Sequence, residues 1–170
     1  MTDIREKIDM LWDEDPVDVT AEANFIWSIA NKLRGTYMPD KYGDVIIPMT
    51  ILRRFECALS HTKEAVIEMY EKNPKIPAQA LEKKAGFQFY SVSHYDLKEL
   101  LNESEKIAEN FESYIEGFSN NVKDILKQLK LSDHIKTMEE GGCLFTVVKA
   151  FSELDLDPTT YDSIKMGYIF

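Results

Sequence analysis

Apolar positions along this chain recur every three to four residues, the period of a helix face, and almost nowhere alternate as a half-buried strand requires. Ile4, Ile8, Leu11 and Trp12 follow the period first, with Asp3 and Glu6 spaced as a capping box. The acidic stretch Asp13-Glu14-Asp15-Pro16 then interrupts it. A second helix is predicted from near Thr20, with the stripe Phe25, Ile26, Ile29, Ala30 and Leu33 and with Gly35 as its stop. A polar connection at 39–43 leads to the longest predicted helix, about 44–72, whose face carries Leu52, Phe55, Leu59, Val66 and Met69. Pro48 suits that helix only near its first turn, because an interior proline removes a hydrogen bond from the ladder. Asn73-Pro74 ends it, and a short helix opens at Pro77 and closes at Gly86.

Residues 87–91 carry the one strand-like alternation, too short and without an evident partner, so they read as an extended loop. Ser93 with Asp96 then caps a long helix with the stripe Leu97, Leu100, Leu101, Ser104, Ile107, Ala108, Phe111, Ile115 and Phe118. Three helical segments follow, at 122–131, at 132–140 (capped by Ser132, stopped by Gly141-Gly142) and at 144–154. The expected fold is all-α, a compact bundle of about six to eight helices, with at most a token extended segment near 87–91. Its core is expected to include Phe25, Ile29, Leu52, Phe55, Leu59, Phe111, Ile115, Val147 and Phe151. A turn signal at 156–161 precedes the ending Met166-Gly167-Tyr168-Ile169-Phe170, which reads as the opening of another element. The expected division is therefore a helical domain over 1–165 and the start of a further domain at 166–170.

Composition narrows the class. The 170 residues, 44% apolar and 29% charged, suit one domain with a self-supporting core. No apolar run is long enough to span a membrane, and charges at Asp3, Arg5 and Glu6 stand where a signal peptide needs an apolar core, so a cytoplasmic protein is expected. Cys57 and Cys143 have no Cys or His at metal spacing and are expected to be reduced thiols; His61, His94 and His134 are equally isolated. A net charge of −10 repels phosphates on average, which argues against an autonomous nucleic-acid binder but leaves room for a local basic face.

No catalytic, cofactor-binding or metal residue is found. The seven glycines are scattered without a phosphate-loop pattern, and Glu139-Glu140 reads as a solvated helix end rather than an acid–base pair. Lys32 and Arg34 close the second helix, Lys41 follows in the loop, and Arg53-Arg54 lie in the long helix. These five residues are the candidate contacts. They complement a helix dipole on a solvated face, or they form a positive edge that meets phosphate or an acidic partner. Phe87, Phe89, Tyr90 and Tyr95 suit packing around a loop better than base stacking.

Four blocks carry a likeness to a known family: Phe25-Ile26-Trp27-Ser28-Ile29-Ala30-Asn31-Lys32-Leu33-Arg34-Gly35, Ile47-Pro48-Met49-Thr50-Ile51-Leu52-Arg53-Arg54-Phe55-Glu56, Tyr114-Ile115-Glu116-Gly117-Phe118-Ser119-Asn120-Asn121-Val122-Lys123-Asp124-Ile125-Leu126, and Met166-Gly167-Tyr168-Ile169-Phe170. In this order they resemble the N-terminal helical domain of the methylation subunit of type I restriction–modification systems. The resemblance implies a full-length protein that transfers a methyl group from S-adenosylmethionine to adenine N6 in DNA. It also implies a specificity subunit and a restriction subunit as partners, and a catalytic domain beyond Phe170. The family's cofactor glycines and Asn-Pro-Pro-aromatic loop belong to that later domain. Asn73-Pro74-Lys75-Ile76 lacks the second proline and the aromatic, so no catalytic or cofactor residue carries over. The residues alone leave a stand-alone helical adaptor as the alternative.

Overall fold

The structure is a computed structural model that describes residues 20–156. Helix α1 spans Thr20–Leu33 and buries Ile29 and Leu33, and Gly35 follows it at φ +90°, a conformation that suits glycine. A 3-10 turn at Pro39–Lys41 runs directly into α2, Tyr42–Leu59. That turn places the start of α2 earlier than the periodicity predicts, so Pro48 lies in the second turn of α2 rather than the first, and it is buried there.

The helix predicted over 44–72 is two helices. Ser60 donates from Oγ to the Cys57 carbonyl at 2.7 Å, and Thr62 donates from Oγ1 to the distant Ala85 carbonyl at 3.0 Å. These hydroxyls offer the backbone an alternative to the helix ladder, and α3 restarts at Lys63–Lys72. Helix α4, Ala78–Ala85, folds back on α3 and stops at Gly86, φ +84°.

The long helix predicted from Leu97 to Phe118 is also broken, into α5 (Leu97–Leu100), a 3-10 stretch (Leu101–Lys106) and α6 (Ile107–Glu116). Glu103 leaves helical geometry at φ −126°, ψ 73°, and its carboxylate accepts from Asn110 Nδ2 at 3.1 Å. Ser104 is consequently exposed instead of lining the core. Asp96 alone caps α5, accepting the Glu99 N–H at 2.7 Å, while Ser93 Oγ accepts the Tyr95 N–H in the turn before it. Helices α7 (Asn120–Gln128), α8 (Leu131–Glu140) and α9 (Leu144–Ser152) complete the order. Lys130 takes φ +57° before α8, so Ser132 sits in the first turn and donates to Glu112 instead of capping.

The described residues therefore form eight helices of two turns or more and the one-turn α5, with no strand. The 87–91 segment contributes a single antiparallel bridge, Ser91 to Phe118. Gly117 permits it, because a Cβ there would stand 2.6 Å from Ser93 Cβ. Helix α9 packs against α1, α2, α5, α6 and α8 and buries Leu144, Val147, Val148 and Phe151. Seven of the nine expected core residues are buried; Phe25 and Phe55 are half-buried, one edge-on to Phe151 at 5.2 Å and the other to Phe89 at 4.7 Å. The helix expected over 4–12 and the segments 157–161 and 166–170 lie outside the described residues.

This difference in burial is measurable by urea unfolding. Phe111→Ala is expected to cost about 3–5 kcal/mol, the range for a buried phenylalanine, and Phe55→Ala distinctly less. Equal costs would contradict the placement of Phe55 at the edge of the core.

Candidate functional site

The most constrained polar group in the structure is Glu56 on α2. It falls on the apolar side of its helix, four residues after Leu52 and three before Leu59, and keeps only 7% exposure. Its Oε1 accepts the Leu97 N–H at 2.6 Å and the Tyr114 hydroxyl at 2.9 Å, and its Oε2 pairs with Arg53 at 2.5 Å. Lys63 lies beside this group, 5.5 Å from the Tyr114 ring centroid, and donates to the Tyr95 carbonyl. Burial pulls the Lys63 ammonium below its ordinary value and pushes the Tyr114 hydroxyl well above it, the Glu56 charge adding to the latter. A cleft of about 750 Å³ opens beside the cluster, lined by Arg53, Glu56, Lys63, Asp96 and Asp155 among others. All four polar groups are already used by one another or by the backbone. The arrangement ties α2 to the starts of α3 and α5 and to α6.

The five candidate basic residues separate into two sets. Arg53 donates from Nε to the Leu154 carbonyl and Arg54 from Nη1 to the Leu156 carbonyl, both at 2.7 Å. They clasp the segment that follows α9, which explains why Leu156 is buried outside any helix. Lys32 is half-buried, donates to Ser28 Oγ at 3.0 Å and lines a second cleft with Lys149, Glu153 and Asp155. Arg34 and Lys41 are exposed, and the Arg34 guanidinium donates to Asn31 Oδ1 at 3.0 Å.

Helix α1, the loop after it and α2 carry a feature that charge counting misses. Trp27 is 69% exposed and Met38 70%, the two most exposed large apolar side chains among the described residues, and Ile47 follows. Trp27 was legible as the polar-side position of the α1 stripe. It faces away from Ile26 and Ile29, where a tryptophan gains nothing from the core.

The other candidates have structural roles. His134 Nδ1 pairs with the Tyr37 hydroxyl at 2.9 Å, and burial lowers its affinity for a proton. His94 meets Glu71 at 2.5 Å. Cys57 and Cys143 are buried free thiols, and burial pushes the Cys57 thiol up, away from the reactive thiolate. Among the described residues no three His, Cys, Asp or Glu converge as a metal site, and no helix is long and apolar enough to cross a membrane. Phe87 stacks on Phe89, which meets Phe55, so these aromatics pack around the loop.

A family model described as HsdM N-terminal domain matches residues 23–151. No curated protein and no solved structure matches the chain.

The Tyr114–Glu56 contact has a pH signature. The folded state holds a phenolic proton that the unfolded chain releases above pH 10.0, so the contribution is intact below that value and lost as pH rises past it. Unfolding free energy should therefore fall more steeply between about pH 9 and about pH 11 in the parent chain than in Tyr114→Phe. Parallel slopes would place Tyr114 outside the buried network.

Proposed function

The chain belongs to the HsdM N-terminal domain family, the N-terminal region of type I restriction–modification methylation subunits, and on that premise we propose that it is the non-catalytic domain through which such a subunit meets its partners. The match over residues 23–151 carries the reading. In the assembled enzyme the domain contacts the specificity subunit, with a restriction subunit completing the complex, and helps hold DNA in the cytoplasm. The whole subunit transfers a methyl group from S-adenosylmethionine to adenine N6.

The residues described do not suit the cofactor. A nucleotide-type cradle uses a glycine turn between a strand and the start of a helix. Here the positive-φ glycines Gly35, Gly86 and Gly142 each lie just after a helix, and no strand leads into any of them among the described residues. In this reading the methyl donor is held outside residues 20–156, and no catalytic step is assigned to this chain.

The partner-facing surface is the α1–α2 edge. Protein interfaces are enriched in tryptophan, methionine and arginine relative to the rest of a surface. Exposed Trp27, Met38 and Arg34 supply that combination, with Lys32 and Lys41 beside them in sequence. Arg53 and Arg54 support the edge indirectly by holding the chain after α9.

Association between the methylation and specificity subunits tests the assignment. The pair Trp27→Glu and Met38→Glu is expected to weaken it by roughly thirtyfold, the effect of losing one hot spot of about 2 kcal/mol, while the melting temperature stays unchanged because both side chains are exposed. Undiminished association would refute the edge as the contact.

A further inference from the structure

The densest positive charge in the sequence lies elsewhere, on the α3–α4 hairpin. Residues 72–84 hold Lys72, Lys75, Lys83 and Lys84 against one acid, Glu82, in a chain whose net charge is −10. Helices α3 and α4 pack chiefly on each other, so the hairpin stands at the edge of the bundle. All four lysines are exposed.

The fold gathers charges that the sequence spreads out. Lys72 and Lys84, from opposite arms, line one groove of about 420 Å³ with Glu68, Met69, Asn73 and Ile76, and the Glu68 carboxylate interacts with both lysines. Lys72 is paired with Glu68 at 2.9 Å. Among the described residues no ion pair holds Lys75, Lys83 or Lys84. The loop between the arms is rigid in its backbone. Pro74 and Pro77 fix two φ angles, Asn73 accepts the Ile76 N–H at 3.0 Å through its carbonyl, and Ile76 packs against the core. Little backbone freedom is lost when such a loop meets a partner.

The composition of the patch selects the partner. None of the large apolar side chains exposed among the described residues falls within 72–84. Protein interfaces bury an apolar centre and are depleted in lysine, whereas contacts to a nucleic-acid backbone are polar and cationic. The patch also lacks arginine, the side chain best shaped to read guanine through two parallel hydrogen bonds. We infer that the α3–α4 hairpin is a sequence-independent contact for the phosphate backbone of duplex DNA, made by Lys75, Lys83 and Lys84 with Lys72 at its rim. This rests on the reading of the chain as part of a DNA-modifying subunit and names the surface that meets the duplex.

The experiment is fluorescence anisotropy of the full chain with a labelled duplex, from about 50 mM to about 200 mM salt, repeated with a second duplex of unrelated sequence. K75E/K83E/K84E is compared with R34E/K41E, each checked for an unchanged melting temperature. The expected result is weak binding of both duplexes alike at the lowest salt. It is lost at least tenfold in the hairpin variant, whose log–log salt slope flattens by about one for each lysine on a phosphate, and is largely retained in R34E/K41E. Loss in R34E/K41E with an unaltered hairpin variant would overturn the hairpin and leave DNA engagement by the domain standing. Absence of binding to either duplex at the lowest salt would overturn both. Binding of poly-glutamate with equal affinity and the same lysine dependence would overturn DNA as the partner and identify an acidic protein surface instead.

Discussion

A carboxylate withdrawn from water has to be met by donors, and Glu56 is met from three directions. The Leu97 N–H starts α5, the Tyr114 hydroxyl comes from α6, and Arg53 stands one turn earlier on α2. One side chain therefore fixes α2 against α5 and α6, which lie far along the chain from it. The constraint spreads outward from there. Arg53 reaches on to the Leu154 carbonyl, Arg54 beside it to Leu156, and Lys63 covers the Tyr114 ring while holding the loop before α5. Among the described residues no buried side-chain polar atom is left without a partner. Satisfied networks of this kind specify a single arrangement, and removal of one member strands the rest.

The periodicity made the all-α class and most of the core legible, because α9 buries Val147, Val148 and Phe151 and because α1 and α7 bury Ile29, Leu33, Val122 and Leu126 of their stripes, although Ile125 is exposed. The two long helices were not legible as broken. Their breaks depend on partners far along the chain, such as the Ala85 carbonyl for Thr62, or on a local exchange such as Asn110 for Glu103. Glu56 left a signal that went unread. A charged residue at a core position of a helix announces a buried partner, and here the partner is three residues away. The family resemblance rested on ordered blocks, and the match over 23–151 bears it out. The candidate basic edge was assembled from lysines and arginines near helix ends. The lysines of 72–84 straddle a helix break, so no single helix end marks them.

The surfaces divide by chemistry. The α1–α2 edge exposes Trp27 and Met38 beside basic groups, a mixture suited to a folded partner. The α3–α4 hairpin exposes four lysines and, within 72–84, no large apolar side chain, which suits a polyanion. The Glu56 network joins α2 to α5 and α6, and Lys63 at the start of α3 lies beside it. A domain of net charge −10 gains nothing from long-range attraction to DNA. On the proposed reading, contact with DNA would depend on presenting the hairpin in a fixed direction, and on effective concentration beside a duplex held by the assembly.

That dependence on one buried carboxylate is open to direct measurement. Urea unfolding of Glu56→Ala should show a loss of about 3–5 kcal/mol, the range for removing one partner of a buried charge pair, because the Tyr114 hydroxyl and the Leu97 N–H lose their acceptor and Arg53 loses its counter-charge. A loss under about 1 kcal/mol, within the range of a surface ion pair, would contradict the account and show that apolar packing alone sets the helices in place.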